Sequence, residues 1–479
     1  MAIQGIVNKN PLRILSDHEV EKIHGASLDI LESVGMKFED EEALKILGDG
    51  GCSVDAKKMM VKIPALVVES ALKLCPSSFV QKSRNPDNDL KFETSTVFFT
   101  NHSAPFIRDL ETGEKRVPTL KDVGQLVTVM DALENIHAIF VPALNLADKP
   151  REVSLEWVVA EVMRKSEKTT IGATFGGCAK WVVKMADVVG EDVIGCASAV
   201  PPMNWGPAMS NGVITYARSG HITSVCSGIG MGASGPATIA GTLVQATAEL
   251  LAGIVLAQLT RPGVRVATAT QVTPLDMRTG ELAAGSIEAG IVSACMTQMS
   301  HRYEIPMRSQ FPMTDSKMPD QQAGYEKCMQ LMLVAMAGNN YIISAGGIEN
   351  ELSLSFEQLV IDNETYSMIA RYMRGVEVTE ETMAVDLIKE VGSLGGNFLS
   401  KRHTRDWSRK EMFMPRVSDR HPYQTWMKEG SKDAVARARE IAGEILKTHE
   451  APPLPEDIDR ELDRILRAAQ EEKAQAGRR

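Results

Sequence analysis

The stretch ITSVCSGIGMGASGPATIAG, residues 222–241, runs from an apolar, strand-like segment through a glycine-rich turn into the start of a long helical pattern. Its hexapeptide GMGASG, residues 230–235, fits G-x-G-x-x-G. The fold hangs on whether this turn is a dinucleotide cradle or one strand-to-helix turn among many. A dinucleotide fingerprint opens the first βαβ unit, and an acid that holds the ribose follows about 20 residues later. Here the loop lies mid-chain, the next strand-like run RVATATQ (265–271) ends in glutamine, and Glu249 falls inside the helical stretch. The dinucleotide reading therefore fails. What remains is a turn that needs positive φ, with Pro236 suited to a first helical turn. The bare backbone at Gly228, Gly230 and Gly232 also lets a large flat group approach closely.

Working outward, the same strand-to-helix unit recurs. Strand-like runs occur at 96–101, 138–145, 169–175, 194–202, 222–228, 265–271, 306–312 and 341–347. Helical patterns at 119–134, 151–165, 178–189, 209–218, 236–260, 283–303 and 319–338 separate them. Strands alternating with helices predict a parallel α/β sheet, and eight units predict a closed (β/α)8 TIM barrel, with an open doubly wound sheet as the alternative. Most strand runs are continuously apolar or small, as expected for burial on both faces. Residues 1–90 read as an N-terminal helical segment, opened by the capping box Ser16–Glu19. Residues 91–350 form the barrel and 351–479 a C-terminal helical extension. In its last helix Ile458, Leu462, Ile465, Leu466 and Ala469 make one stripe, which predicts packing on the barrel or on a second subunit of a homo-oligomer.

Composition limits the function classes. The 479 residues are 44% hydrophobic and 24% charged, an ordinary globular balance. Fifty-two basic against 62 acidic side chains give a net charge of −10, which argues against nucleic acid or an anionic membrane as partner. No run of 18 uncharged apolar residues occurs, and the N-terminus has no signal-peptide pattern, so a cytoplasmic address is expected. The seven cysteines never form C-x-x-C and the nine histidines show no zinc spacing; reduced thiols and no metal site are expected.

No nucleophile elbow, Walker lysine or H-E-x-x-H motif is present, and no catalytic residue is assigned. Asp315 and Lys317 follow the seventh strand run, as a solvated ion pair or as barrel-mouth groups. Tyr325 belongs either to the mouth or to packing, and Trp205 either to the core or to an aromatic ligand wall.

Six longer segments go further: DLETGEKRVPTLKDV (109–123), SGPATIAGTLVQATAELLAGIVLAQLTRPG (234–263), LDMRTGELAAGSIEAG (275–290), TDSKMPDQQAGYEK (314–327), SAGGIENELSLSFEQLVIDNE (344–364) and GNFLSKRHT (396–404). With them the chain, from about residue 15 to 447, resembles the trimethylamine methyltransferase superfamily. The resemblance implies a TIM barrel that moves a methyl group from a methylated amine to the Co(I) corrinoid (cobalamin) of a separate carrier protein. The founding trimethylamine enzymes carry pyrrolysine; this sequence prints standard residues only and resembles the branch without it, which acts on glycine betaine and other quaternary amines. A quaternary ammonium leaves as a neutral tertiary amine, so its nitrogen needs no proton.

For such a substrate the aromatic candidates at or near strand ends are Phe99, Phe106, Trp205, Phe311 and Tyr325. Arg308 and Gln310 share one face of PMRSQFP by period-two alternation, and Gln271 ends the preceding strand; Arg308 is the candidate grip on a substrate carboxylate. The competing expectation pairs Arg308 with Glu281 or Asp315. His102, Gly347 and Glu349 complete the candidate substrate set, and Gly228, Gly230 and Gly232 form the candidate corrinoid wall. The D-x-H-x-x-G corrinoid signature begins at Asp419 and His421 but lacks its glycine, so no permanently bound corrinoid is expected. Two alternatives stay open: a lyase or aldolase with a Schiff base on Lys317, and a non-catalytic betaine-binding or carrier-docking module.

Overall fold

A computed structural model describes residues 3–476 apart from 4, 9, 94 and 173. Eight parallel strands follow one another in chain order: β1 (Thr96–Asn101), β2 (Ala138–Phe140), β3 (Thr169–Gly172), β4 (Ile194–Ala199), β5 (Ile222–Ser227), β6 (Val266–Thr270), β7 (Met307–Ser309) and β8 (Tyr341–Ala345). β8 pairs in parallel with β1, Tyr341 opposite Phe98, and this closes the barrel and excludes the open sheet. Each strand run anticipated from the sequence contains one of these strands.

A helix follows every strand: α1 (Leu120–Ala132), α2 (Ser154–Lys165), α3 (Ala179–Val189), α4 (Pro207–Ser219), α5 (Ile239–Thr260), α6 (Ile287–Arg302), α7 (Gln321–Met336) and α8 (Phe356–Arg374). Local chemistry sets their ends. Thr119 and Asp122 form a capping box at α1, Pro207 opens α4, and left-handed Gly190 and Gly220 end α3 and α4. α5 has the length and apolarity of a membrane span, yet 78% of its most apolar window is buried. It lies beneath the N-terminal helix Asp17–Ser33, and is apolar all round because it is covered all round.

The N-terminal segment is less purely helical than its sequence predicts. Strands Met36–Phe38, Ser53–Asp55 and Met60–Lys62 join Asn204–Trp205 in a four-stranded sheet. Runs of two or three residues are too short to show a period of two. A hairpin of Phe79–Gln81 and Leu90–Phe92 reaches the closed end of the barrel. There Phe92 meets Phe98 edge-on at 5.2 Å and Tyr341 at 5.4 Å, and Gln81 Nε2 donates to the Thr170 carbonyl at 3.1 Å.

In the extension, helix Ala434–Thr448 packs on α8 and α1, and helix Glu456–Ala476 on α3 and α2. The predicted stripe of Leu462, Ile465, Leu466 and Ala469 is buried there, so its partner is the chain's own barrel. Arg164 of α2 fixes the last helix through Asp459 and Asp463, each at 2.6 Å. The stretch at 395–426 contains helix Arg402–Glu411 and the start of helix Tyr423–Lys428.

Candidate active site

At the C-terminal ends of the strands a cavity of about 680 Å³ opens to the surface. Barrel interiors are ordinarily filled by bulky branched side chains. Here β4 and β5 contribute Cys196, Ser198 and Cys226 to the lining, and these small groups leave the space. Arg308 of β7 and Gln310 just beyond it line the cavity together, as their alternation predicts, and Gln271 lines it from the end of β6.

Arg308 is 4% exposed. Its Nε donates to Ser224 Oγ at 3.3 Å, Nη1 reaches Gln310 Oε1 at 3.5 Å, and the guanidinium lies 5.8 Å from the centre of the Phe140 ring. Among the described residues no carboxylate makes an ion pair with it. The expected partners do not pair with it: Glu281 is exposed on the cavity's lip, and Asp315 lies beside Glu326, whose Oε2 accepts from the Asp315 amide at 2.9 Å. A buried cation without a counter-charge costs several kcal/mol, so this guanidinium calls for an anion from the cavity.

The opposing wall is the loop after β8. Glu349, Asn350 and Glu351 take φ of +60°, +51° and +72°, three consecutive non-glycine residues in the left-handed region. Each such residue costs roughly 1–2 kcal/mol and needs outside support. The amides of Glu349 and Asn350 donate to the carbonyls of Ser316 at 2.7 Å and Thr314 at 2.9 Å. Asn350 Nδ2 donates to the Leu282 carbonyl at 2.6 Å, and Glu349 pairs with Lys115 at 2.7 Å. His102 Nε2 lies 3.1 Å from the Glu351 carbonyl. Gly347 is needed for close approach, since a Cβ there would meet the His102 ring at 2.9 Å. Beneath the turn the buried Lys327 pairs with Asp362 at 2.9 Å and donates to the Ser344 and Gly347 carbonyls, each at 2.9 Å.

The strained turn carries the Glu351 side chain into the cavity lining. Gln271 Nε2 donates to its Oε2, whereas Oε1 is buried with no partner among the described residues. Burial pushes the Glu351 carboxyl up to about 7, against the pull of the Gln271 hydrogen bond. Burial also pushes His102 down to about 4, so its imidazole is neutral at ordinary pH.

The glycine-rich turn forms a lip over the mouth. Gly230–Met231 pairs with Thr273–Asp276, which pairs in turn with Glu281–Leu282. Gly228 and Gly230 line the cavity; Gly232, at φ +85°, makes the turn and does not. Phe175, Val200, Leu282 and Leu352 line the opening with 41–51% of their surface exposed, an apolar collar.

The expected aromatic wall is not built from the residues chosen for it. Phe99 points out of the barrel and stacks on Tyr366 of α8 at 4.3 Å. Trp205 is fully buried against α5, its Nε1 donating to the Glu249 carbonyl at 3.3 Å. Phe311 fills a small core with Ala284, Ala289 and Met313. Tyr325 is 58% exposed on α7, and Lys115 already sits over the Phe106 ring at 4.5 Å. His102, Gly347 and Glu349 support the wall instead of lining it, while Phe140, Phe175 and Glu351, which the sequence reading passed over, do line it. Lys317, the Schiff-base candidate, is exposed with Nζ on the Asp315 carbonyl at 2.8 Å, and among the described residues no lysine lines the cavity. The one group of metal-type ligands found among the described residues is Asp419, His421 and Glu429, within 4.8 Å of one another in the extension and outside this cavity.

The profile of the trimethylamine methyltransferase (MTTB) family matches residues 1–473. The glycine betaine methyltransferase of Desulfitobacterium hafniense strain Y51 is 33% identical, over 95% of this chain and 96% of that protein. A trimethylamine methyltransferase of Desulfitobacterium hafniense strain DCB-2 is 35% identical over 95% and 94%, and one of Methanosarcina barkeri strain Fusaro 32% identical over 96% of each. Among solved structures, the Methanosarcina barkeri monomethylamine methyltransferase aligns with a TM-score of 0.48 at 14% identity, over 90% of this chain and 93% of that one. With a profile match across nearly its whole length and methyltransferases as its relatives, this chain belongs to the trimethylamine methyltransferase family.

Proposed function

We propose that this protein takes a methyl group from a quaternary ammonium compound bearing a carboxylate, glycine betaine or a close relative, and passes it to the corrinoid of a separate carrier protein. The observation that carries the substrate class is Arg308, a buried guanidinium facing the cavity with no carboxylate of its own. A carboxylate arm supplies the missing anion through a charge-assisted, two-pronged contact. The glycine betaine methyltransferase relative supports the same class.

The mouth fits a corrinoid presented from outside. The collar of Phe175, Val200, Leu282 and Leu352 offers apolar surface to a flat macrocycle, and Gly228 and Gly230 leave the adjacent backbone bare. When bound, a reduced corrinoid supplies the nucleophile that accepts the methyl group. The chain's own task is positioning: hold the carboxylate on Arg308, aim an N-methyl group at the opening and keep water out. As the C–N bond breaks, its electron pair stays on nitrogen, and the product is a neutral tertiary amine. No proton donor is required.

The test is Arg308→Gln, assayed on glycine betaine and on tetramethylammonium. A KM rise of about 10- to 100-fold confined to the betaine, with kcat nearly unchanged, is expected from the loss of one charge-assisted contact. Equal losses on both substrates would assign Arg308 to structure.

A further inference from the structure

We infer that the Glu351 carboxylate is the seat of the substrate's cationic nitrogen, so that the cavity reads a zwitterion at both ends, anion on Arg308 and cation on Glu351. The inference rests on the methylated-betaine reading above and deepens it by naming the group that recognises the nitrogen.

Three observations carry it. First, Glu351 Oε1 is buried and accepts no hydrogen bond, and Glu351 makes no ion pair among the described residues, although it belongs to the cavity lining. The lysines of the loop's network are committed elsewhere, Lys115 to Glu349 and Lys327 to Asp362. A quaternary nitrogen has no N–H, so the carboxylate oxygen it wants is one with no hydrogen-bond donor of its own. Gln271 orients the other oxygen and leaves this one free. Second, aromatic seats for the cation are few: Phe99, Trp205 and Phe311 are in the core, Phe106 lies under Lys115 and Phe140 under Arg308, which leaves Phe175 at the rim of the opening. Third, the three-residue left-handed turn, anchored by Ser316, Thr314, Leu282 and His102, has the placing of Glu351 as its visible result.

The chemistry follows. The nitrogen loses its charge as the methyl group departs, so Glu351 holds the ground state more firmly than the product and releases the tertiary amine readily. Removing the charge therefore raises KM without lowering kcat. Binding also follows pH, because burial holds this carboxyl near 7. The titratable and charged groups that share the cavity lining with it are Arg308 from β7, Cys196 and Cys226 from β4 and β5, and Glu281 from the lip, and His102, just past β1, sits on its backbone carbonyl. His102 is held near 4, and burial raises both thiols, Cys226 to about 11.

The experiment measures binding to the full chain by calorimetry at about pH 8 and about pH 6. The probes are glycine betaine, its uncharged-centre isostere 3,3-dimethylbutanoate, and tetramethylammonium. Wild type is expected to prefer betaine over the isostere by about tenfold or more at the higher pH, with the preference shrinking at the lower one. Glu351→Gln should bind both equally at both pH values, and Glu351→Asp should recover part of the preference. A full preference retained in Glu351→Gln, or none in wild type, overturns the inference. If tetramethylammonium binds wild type as well as betaine does, and Glu351→Gln loses it, the Glu351 seat stands while the Arg308 reading, and with it the two-ended recognition, falls. Should Glu351→Gln fail to fold, the wild-type pH comparison and Glu351→Asp decide.

Discussion

Glu191 and Glu351 show how little a single displaced carboxyl says about function. Burial raises both to about 7, but Glu351 lines the open cavity whereas Glu191 precedes β4 at the closed end of the barrel. Glu191 is 4% exposed, and its Oε1 has no partner among the described residues. Its folded-state carboxyl lies above the unfolded value of 4.5, so its contribution is fully present below that value and is lost as pH rises through about 7. Glu191→Gln should therefore match wild type near pH 5 and exceed it near pH 8 by up to about 3 kcal/mol in urea unfolding. Equal stability at the higher pH would contradict the assignment. At this scale the sequence is legible where a regular element sets direction: Arg308 and Gln310 fall on one strand face and share the cavity. Glu351 is illegible because Gly346-Gly347 marks a turn without showing that Glu349, Asn350 and Glu351 all go on into the left-handed region, which is what sets its direction.

Among elements, the barrel strands and helices are readable because each is a long periodic or continuously apolar run, whereas the strands at 36–38, 53–55 and 60–62 carry no detectable period. The aromatic residues at strand ends were misread for a related reason. A residue at the last turns of a strand points in or out by one-residue alternation, and Phe99 falls on the outer face against Tyr366. The glycine-rich lip separates into two kinds of position. A Cβ at Gly230 would meet Leu282 at 3.4 Å, an ordinary contact, while Gly232 sits at φ +85°. Gly232→Ala should cost about 1–2 kcal/mol in thermal or urea unfolding, and Gly230→Ala less than about 0.5 kcal/mol. The reverse order would mean that the lip's conformation is set by something other than its turn.

For the whole molecule, closure by the β8–β1 pairing places Gln271, Arg308, Gln310 and Glu351 at one end, while the hairpin at 79–92 lies at the other. That separation leaves the cavity open at the C-terminal ends of the strands, the face the proposed reaction uses. The last helix, packed on α2 and α3, braces the barrel from outside and leaves the mouth clear. Barrel and mouth were legible from eight repeated units; the charge at each side of the cavity became legible only once distant loops were brought together. The central claim, methyl transfer from a betaine, is tested most directly by mixing the purified protein with chemically reduced cob(I)alamin and following methylcobalamin by its absorbance. Glycine betaine should give methylcobalamin and an equal amount of dimethylglycine, and trimethylamine should give little. Efficient methylation from trimethylamine, or none from any betaine, would contradict the account.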